Sequence, residues 1–320
     1  MKRVLIAAAA LSLLTACSRS TPAMGPAAAL PAVVHPPLSS DLYVADQGLN
    51  AVVEFDSQGK KVAAVSFGPK PLDVVTDSHG NVYVLTAESV VHKLTHNLSR
   101  VIGQYSRHGD YSVSLAIDAK DNLYVQNFGY KEYRYYVARY PYGSSKADKI
   151  YKLGGGETVA GISVRGNMLF LATGTGEPSG PRTQLFACSL SGSGDCHSLL
   201  GLGIFLYGCG FTTTREYAVY GLGSGGYGNF VDGFHPYTQW RLSKGRKVRL
   251  PKGYSLGTDY GFCNLHNYGS FVWGGMKTKG KSKTAEAVEF DVAHKTVHAT
   301  VGAGVLSVPV AAYDGNGFTP

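Results

Sequence analysis

Nowhere in the 320 residues does an apolar pattern with helical period persist, so almost no α-helix is expected. Apolar runs long enough to span a bilayer as a mature helix are missing too, the clearest run being only Val4 to Leu14. Ten histidines include no His-Glu-x-x-His pair, and the two couples spaced by four, His92 with His96 and His294 with His298, fall in strand-like sequence. On a strand that spacing does not align two ligands for zinc. Gly192-Ser193-Gly194 lacks the spacing of a serine-nucleophile elbow, and none is expected. The glycine-rich run Gly221 to Gly228 is not followed by the Lys-Ser/Thr that a phosphate-binding loop needs.

What is present is a repeated strand. Leu42-Tyr43-Val44-Ala45 and Val52-Val53-Glu54-Phe55 flank a glycine turn, and Asp56-Ser57-Gln58-Gly59 makes a second turn. Their β-branched, aromatic and apolar residues predict a hairpin, and the lack of clean alternation predicts a sheet covered on both faces. Paler copies of the first strand recur around Tyr83, Tyr124, Phe170, Tyr217 and Phe271. Counted from Tyr43, these aromatic anchors are separated by 40, 41, 46, 47 and 54 residues. A period of forty-odd residues holding several short strands is the signature of a β-propeller, and six anchors imply six blades.

The C-terminus fits that count. Val310 to Gly317 resembles the lead-in to an anchor strand, but the chain stops there, while Leu42 begins a copy without a lead-in. The expected fold is therefore all-β, a six-bladed β-propeller closed by pairing of the N- and C-terminal segments, which removes an open sheet edge. The stretch Leu42 to Lys60, together with Pro71 to Leu85, resembles the NHL-repeat and regucalcin/gluconolactonase-like six-bladed propellers, with the likeness concentrated in residues 41–126. That resemblance implies the fold. Its members range from enzymes to binding scaffolds, so it does not imply one activity.

Along the chain, residues 1–16 read as a lipoprotein signal peptide. Lys2 and Arg3 are the positive segment, and Leu14-Thr15-Ala16-Cys17 matches the bacterial lipobox, which makes Cys17 the expected lipidation site. Loss of Lys2 and Arg3 lowers the formal charge from +8 to +6. Residues 17–40 form a tether rich in Pro, Ala and Ser, and residues 41–320 a single propeller domain. The expected location is the cell envelope, lipid-anchored, in the outer membrane if the organism has two membranes. Of the other cysteines, Cys188 and Cys196 flank a turn-rich stretch suited to a local disulfide. Cys209 and Cys263 each lie eight residues before an anchor, and a bond between them requires neighbouring inner strands to approach closely.

Enzymes of the resembled gluconolactonase type hold a divalent metal at one mouth of the channel. Ten residues before each anchor this chain offers Asp73, Ser114, Ala160, Tyr207 and Gly261, with Val310 from the closing strand. One carboxylate and one hydroxyl are too few for a hard cation, which takes about six oxygen ligands. Asp110, Glu157 and Asp259 in preceding loops add a weak acidic mouth. No metal site and no cofactor is assigned. Residues 201–240 read as a long aromatic loop, with Tyr227, Phe230, Tyr237 and Trp240 available to stack on a peptide, saccharide or envelope protein. The basic runs Lys244 to Arg249 and Lys277 to Lys283 suit solvated loops or anionic envelope surfaces, and nucleic acid is not an expected partner. The sequence therefore favours a non-catalytic binding or scaffolding propeller, with a metal-dependent lactonase-type hydrolase as the alternative.

Overall fold

The computed structural model describes residues 41–105, 111–129, 131, 134–155, 158–175, 182–192, 196–201, 211–213, 218–222, 230–238, 241–243, 247–249, 254–256, 265–268, 271–278, 285–291, 294 and 296–314. The chain divides into two units, Met1–Val33 and Val34–Pro320, and every described residue belongs to the second. Among the described residues there is no α-helix, and the strands fall into six antiparallel sheets of four or five strands.

The first sheet holds β1 (Leu42–Asp46), β2 (Ala51–Phe55) and β3 (Lys61–Ser66), and the second β4 (Pro71–Thr76), β5 (Val82–Thr86), β6 (Val91–Leu94) and β7 (Val101–Tyr105). The third holds β8 (Tyr111–Ile117), β9 (Leu123–Gly129), β10 (Arg134–Tyr140) and β11 (Lys149–Gly155). In the fourth are β12 (Thr158–Arg165), β13 (Met168–Thr175), β14 (Arg182–Ser189) and β15 (Cys196–Gly201). The fifth contains β16 (Phe211–Thr213), β17 (Ala218–Leu222), β18 (Phe230–Thr238), β19 (Arg241–Ser243) and β20 (Lys247–Arg249). The sixth is β21 (Tyr254–Leu256), β22 (His266–Tyr268), β23 (Phe271–Thr278), β24 (Ala285–Asp291) and β25 (Thr296–Leu306). The last strand, β26 (Pro309–Asp314), returns to the first sheet and pairs with β1, with Tyr43 opposite Tyr313 and Ala45 opposite Ala311.

Burial follows position in each sheet. Every residue of β1, β2, β4 and β5 is buried, which is the two-sided cover that their unbroken apolar runs require. The outer strand β3 is largely exposed, with Lys61 facing water and blunting the free edge. Between sheets the aromatic anchors fill the core, and Tyr43, Tyr83 and Tyr124 are all but inaccessible.

The repeat legible in the sequence has a physical cause in the turns. Asp77 Oδ1 accepts hydrogen bonds from the backbone N–H groups of His79 (3.0 Å) and Asn81 (2.8 Å), while Oδ2 accepts from the Asn81 amide (2.8 Å) and the Tyr83 hydroxyl (3.0 Å). Asp118 repeats the arrangement with Lys120, Asn122 and Tyr124, at 2.8–2.9 Å throughout. Asp-x-x-x-Asn-x-Tyr is thus one device, in which a buried carboxylate closes the turn and receives the anchor hydroxyl. The fourth turn residue is left-handed, Gly80 at φ 78° and Asp121 at φ 60°. Asp121 accepts that conformation while gripping the neighbouring turn, since the Ser78 N–H and hydroxyl donate to its carboxylate at 2.8 and 2.6 Å.

Two close approaches seat β26. Asp46 Oδ1 accepts from the N–H groups of Gly48 (2.9 Å), Leu49 (3.0 Å) and Val308 (2.9 Å), and Oδ2 accepts from Ser307 N–H (2.6 Å). On its other side, β26 lies so near β23 that a Cβ on Gly275 would stand 2.1 Å from the Pro309 carbonyl oxygen. Gly275→Ala is expected to force those backbones apart and lower stability by roughly 1–3 kcal/mol, read as a drop in melting temperature. An unchanged melting temperature would contradict this contact.

The Asp77 turn yields a pH prediction. Burial opposes its charge, but the Asn81 side chain and backbone, Lys93 and the Tyr83 hydroxyl outweigh that and hold its pKa below the ordinary carboxylate value. A depressed folded pKa contributes stability above the unfolded pKa and loses it as pH falls through the folded one. Asp77→Asn should therefore be about 1–3 kcal/mol less stable than wild type at neutral pH. The two should converge below the ordinary carboxylate range. Chemical denaturation across pH checks this, and a gap that persists in acid contradicts it.

Candidate functional site

Strand register brings one residue of each innermost strand to an equivalent place, opposite the residue two beyond the anchor. Asp73 stands opposite Leu85, Ser114 opposite Gln126, Gly161 opposite Ala172, Thr212 opposite Val219, His266 opposite Trp273 and Ala311 opposite Ala45. Only one of these is a carboxylate. For Ala160, Tyr207 and Gly261, singled out by a fixed offset of ten, and for Val310 of the closing strand, the places belong instead to Gly161, Thr212, His266 and Ala311. The offset failed because it assumed a constant turn. Five residues separate β4 from β5 and β8 from β9, but only two separate β22 from β23.

Asp73 and Ser114 were legible and do meet; His266 was not, and it completes the cluster. Asp73 is fully buried. Its Oδ1 accepts from His266 Nε2 (2.6 Å) and Val74 N–H (2.8 Å), and its Oδ2 accepts from Leu115 N–H (2.7 Å) and the Ser114 hydroxyl (3.2 Å). The His266 ring packs edge-on to Tyr313, with ring centres 5.1 Å apart. A buried charge in this setting is tolerated only when its lone pairs are taken up by donors, and four donors do so. One carboxylate thus joins strands of the second, third and sixth sheets.

The arrangement limits the chemistry. Ser114 and His266 both donate to the carboxylate, so the serine hydroxyl is directed at Asp73 and not at an imidazole nitrogen that could act as its base. Asp73, with its oxygens engaged by N–H and O–H groups, presents those donors rather than an oxygen-lined cavity to a cation. Nearby, Gln126 is buried with neither amide atom hydrogen-bonded, and Ser163 on β12 bonds the Thr213 hydroxyl on β16 at 2.8 Å.

Two motif-like runs have their described residues in sheet. Gly253-Tyr254-Ser255-Leu256-Gly257 has the spacing of a nucleophile elbow, but Ser255 is the middle residue of β21 and pairs with Lys277. A residue in mid-strand is not at the sharp turn that an elbow requires. Gly275 to Ser282 has the spacing of a phosphate loop, yet it runs from β23 towards β24, which pairs back onto β23 with Lys277 opposite Ala285. Gly275 to Thr278 lie in β23, and Lys279 to Ser282 lie outside the described residues.

Of the remaining sequence candidates, Asp110, Glu157, Asp259, Tyr227, Trp240, Cys17, Cys209 and Cys263 lie outside the described residues. Phe230 and Tyr237, expected in a loop, sit in β18. Phe-Val-Asp-Gly-Phe-His-Pro-Tyr-Thr carries enough β-forming residues to pair, and its proline falls where the register with β19 shifts. Cys188 and Cys196 form the disulfide, facing each other across β14 and β15 with Cα atoms 4.2 Å apart.

No family model and no curated protein matches the chain. Solved structures do. A protein of unknown function from Bacteroides caccae has a TM-score of 0.61 at 12% identity, covering 87% of this chain and 98% of that one. A chain of a nidogen/laminin complex has a TM-score of 0.57 at 13% identity, covering 85% and 97%. At such identities the likeness concerns the fold, and it is consistent with a β-propeller.

Removing the Asp73 carboxylate strips partners from His266 and from the buried Leu115 N–H. Asp73→Ala is expected to cost about 3–5 kcal/mol, read as a melting point lower by roughly 5–15 °C. A variant that melts with wild type would show that the carboxylate is held for something other than stability.

Proposed function

We propose that the protein is a non-catalytic binding or scaffolding β-propeller of the NHL-repeat and regucalcin-like kind, six-bladed, with its ring closed by β26 pairing to β1. Support for closure comes from the order of inner-strand neighbours, β26 beside β4, β4 beside β8, β8 beside β12, β12 beside β16, β16 beside β22, and β22 beside β26. The lipobox ending at Cys17 supports anchoring by lipid in the cell envelope, in the outer membrane of a two-membrane organism. The aromatic stretch from Tyr227 to Trp240 is the proposed contact region for an envelope protein, peptide or saccharide.

One observation carries the non-catalytic reading: the only carboxylate at the aligned inner-strand positions, Asp73, is engaged by four protein donors. A lactonase-type hydrolase needs that position to offer oxygen to a metal. The test is a screen of lactones and esters with the purified full chain, with and without added Ca²⁺, Mg²⁺, Mn²⁺ and Zn²⁺. The expected result is no turnover above background under any metal. Metal-dependent turnover abolished in Asp73→Asn would overturn the reading, whereas metal bound elsewhere without turnover leaves it standing. Labelling with a palmitate analogue checks the anchor, since it should be lost in Cys17→Ala.

A further inference from the structure

Away from the inner strands, three groups distant in sequence converge where the chain enters the first sheet. Asp41 precedes β1, Glu54 is in β2, and His96 follows β6 in the second sheet. One ligand atom from each lies within 4.8 Å of the others. His96 Nε2 is 3.2 Å from Asp41 Oδ2. Glu54 is 5% exposed, and its Oε2 is buried with no hydrogen-bond partner.

The orientation of His96 is fixed by a group outside this trio. The Tyr43 hydroxyl has one proton and donates it to the His96 carbonyl oxygen, 2.8 Å away. Its oxygen also lies 2.6 Å from His96 Nδ1, so in that contact Nδ1–H must be the donor. A neutral His96 therefore carries its lone pair on Nε2, aimed at a carboxylate. A lone pair against a carboxylate, beside the buried Glu54 Oε2 that has no hydrogen-bond partner, is unfavourable unless a positive charge, a proton or a metal ion, stands among them. An N–H bonded to a fixed acceptor on the far nitrogen is also how metal-ligating histidines are held.

We infer that Asp41, Glu54 and His96 form a binding site for a divalent transition-metal ion, Zn²⁺ ahead of Mn²⁺. One imidazole and two carboxylates suit zinc, and the 3.2 Å edge between Nε2 and Oδ2 is near the ~3.3 Å expected between ligands at zinc bond lengths in a tetrahedron. Two carboxylates balance the ion's charge, and the exposed side of His96 leaves a route for entry and a place for water. The site joins the first sheet to the second across their seam. Its role is structural, or it presents the metal to a ligand at the rim.

The full chain, stripped with a chelator and dialysed against Zn²⁺, provides the test. Bound metal is counted by elemental analysis, affinity is measured by competition with a chromophoric chelator, and melting is followed with and without metal. Wild type is expected to hold one zinc and to melt higher with it. Glu54→Gln and His96→Gln should each weaken binding at least tenfold and lose the thermal shift. His294→Gln, at an exposed histidine paired with Asp291, should bind as wild type does. Because Glu54→Gln relieves a buried charge and keeps the side-chain volume, its loss of zinc is separable from unfolding by its own melting curve in chelator. Zinc uptake equal in wild type, Glu54→Gln and His96→Gln would overturn the inference. So would no uptake by any of them, the trio then being an imidazolium–carboxylate pair only.

Discussion

The fully buried Asp73 carboxylate is the constraint around which the innermost strands are arranged. A charge withdrawn from water costs several kcal/mol unless donors replace the solvent, so its position demands that β8 and β22 bring Leu115, Ser114 and His266 to it. Those donors belong to two sheets that are not Asp73's own, and the intervening β26 offers only Ala311 at the aligned place. The same logic recurs at the periphery. Asp46 binds the last strand to the first hairpin, Asp77 and Asp118 close the turns of the second and third sheets, and Asp121 reaches from one turn to the next. Apolar side chains fill the spaces between sheets; buried carboxylates determine how the sheets register.

That division explains what the sequence discloses. Tyr43, Tyr83 and Tyr124 are visible as a repeat because each anchor sits a fixed distance from turn chemistry, and Asp77-x-x-x-Asn81-x-Tyr83 returns as Asp118-x-x-x-Asn122-x-Tyr124. Beyond the third sheet the turns shorten and the carboxylate device is not repeated, which is why only a rhythm of strands survives there. His266 escaped notice for this reason. It lies five residues before its anchor rather than ten, and no pattern local to β22 distinguishes it from an ordinary strand histidine. The shortest signal that could have found it is the register itself, counted back from Trp273 across a two-residue turn.

Glu54 and His96 illustrate a second kind of illegibility. In sequence Glu54 is a lone acid in an apolar strand, and His96 pairs by spacing with His92. In space His92 turns to Gln104 and Phe67, while His96 joins Asp41 and Glu54 from another sheet. The converse error is equally physical. Gly253 to Gly257 and Gly275 to Ser282 satisfy catalytic spacings, but their described residues, Tyr254 to Leu256 and Gly275 to Thr278, lie in strands, and Gly275 is explained by the Pro309 backbone against it. A spacing acquires chemical meaning only from the element that carries it.

The central claim is that β26 pairs with β1 as an integral strand of the first sheet. Native-state hydrogen exchange across residues 42–46 and 309–314 tests it most directly, because a terminal strand that is merely laid on an edge frays far below the global unfolding free energy. The account predicts that amides of both segments exchange only through global unfolding, as slowly as those of β5. Exchange of β26 orders of magnitude faster than that of β5 would contradict it.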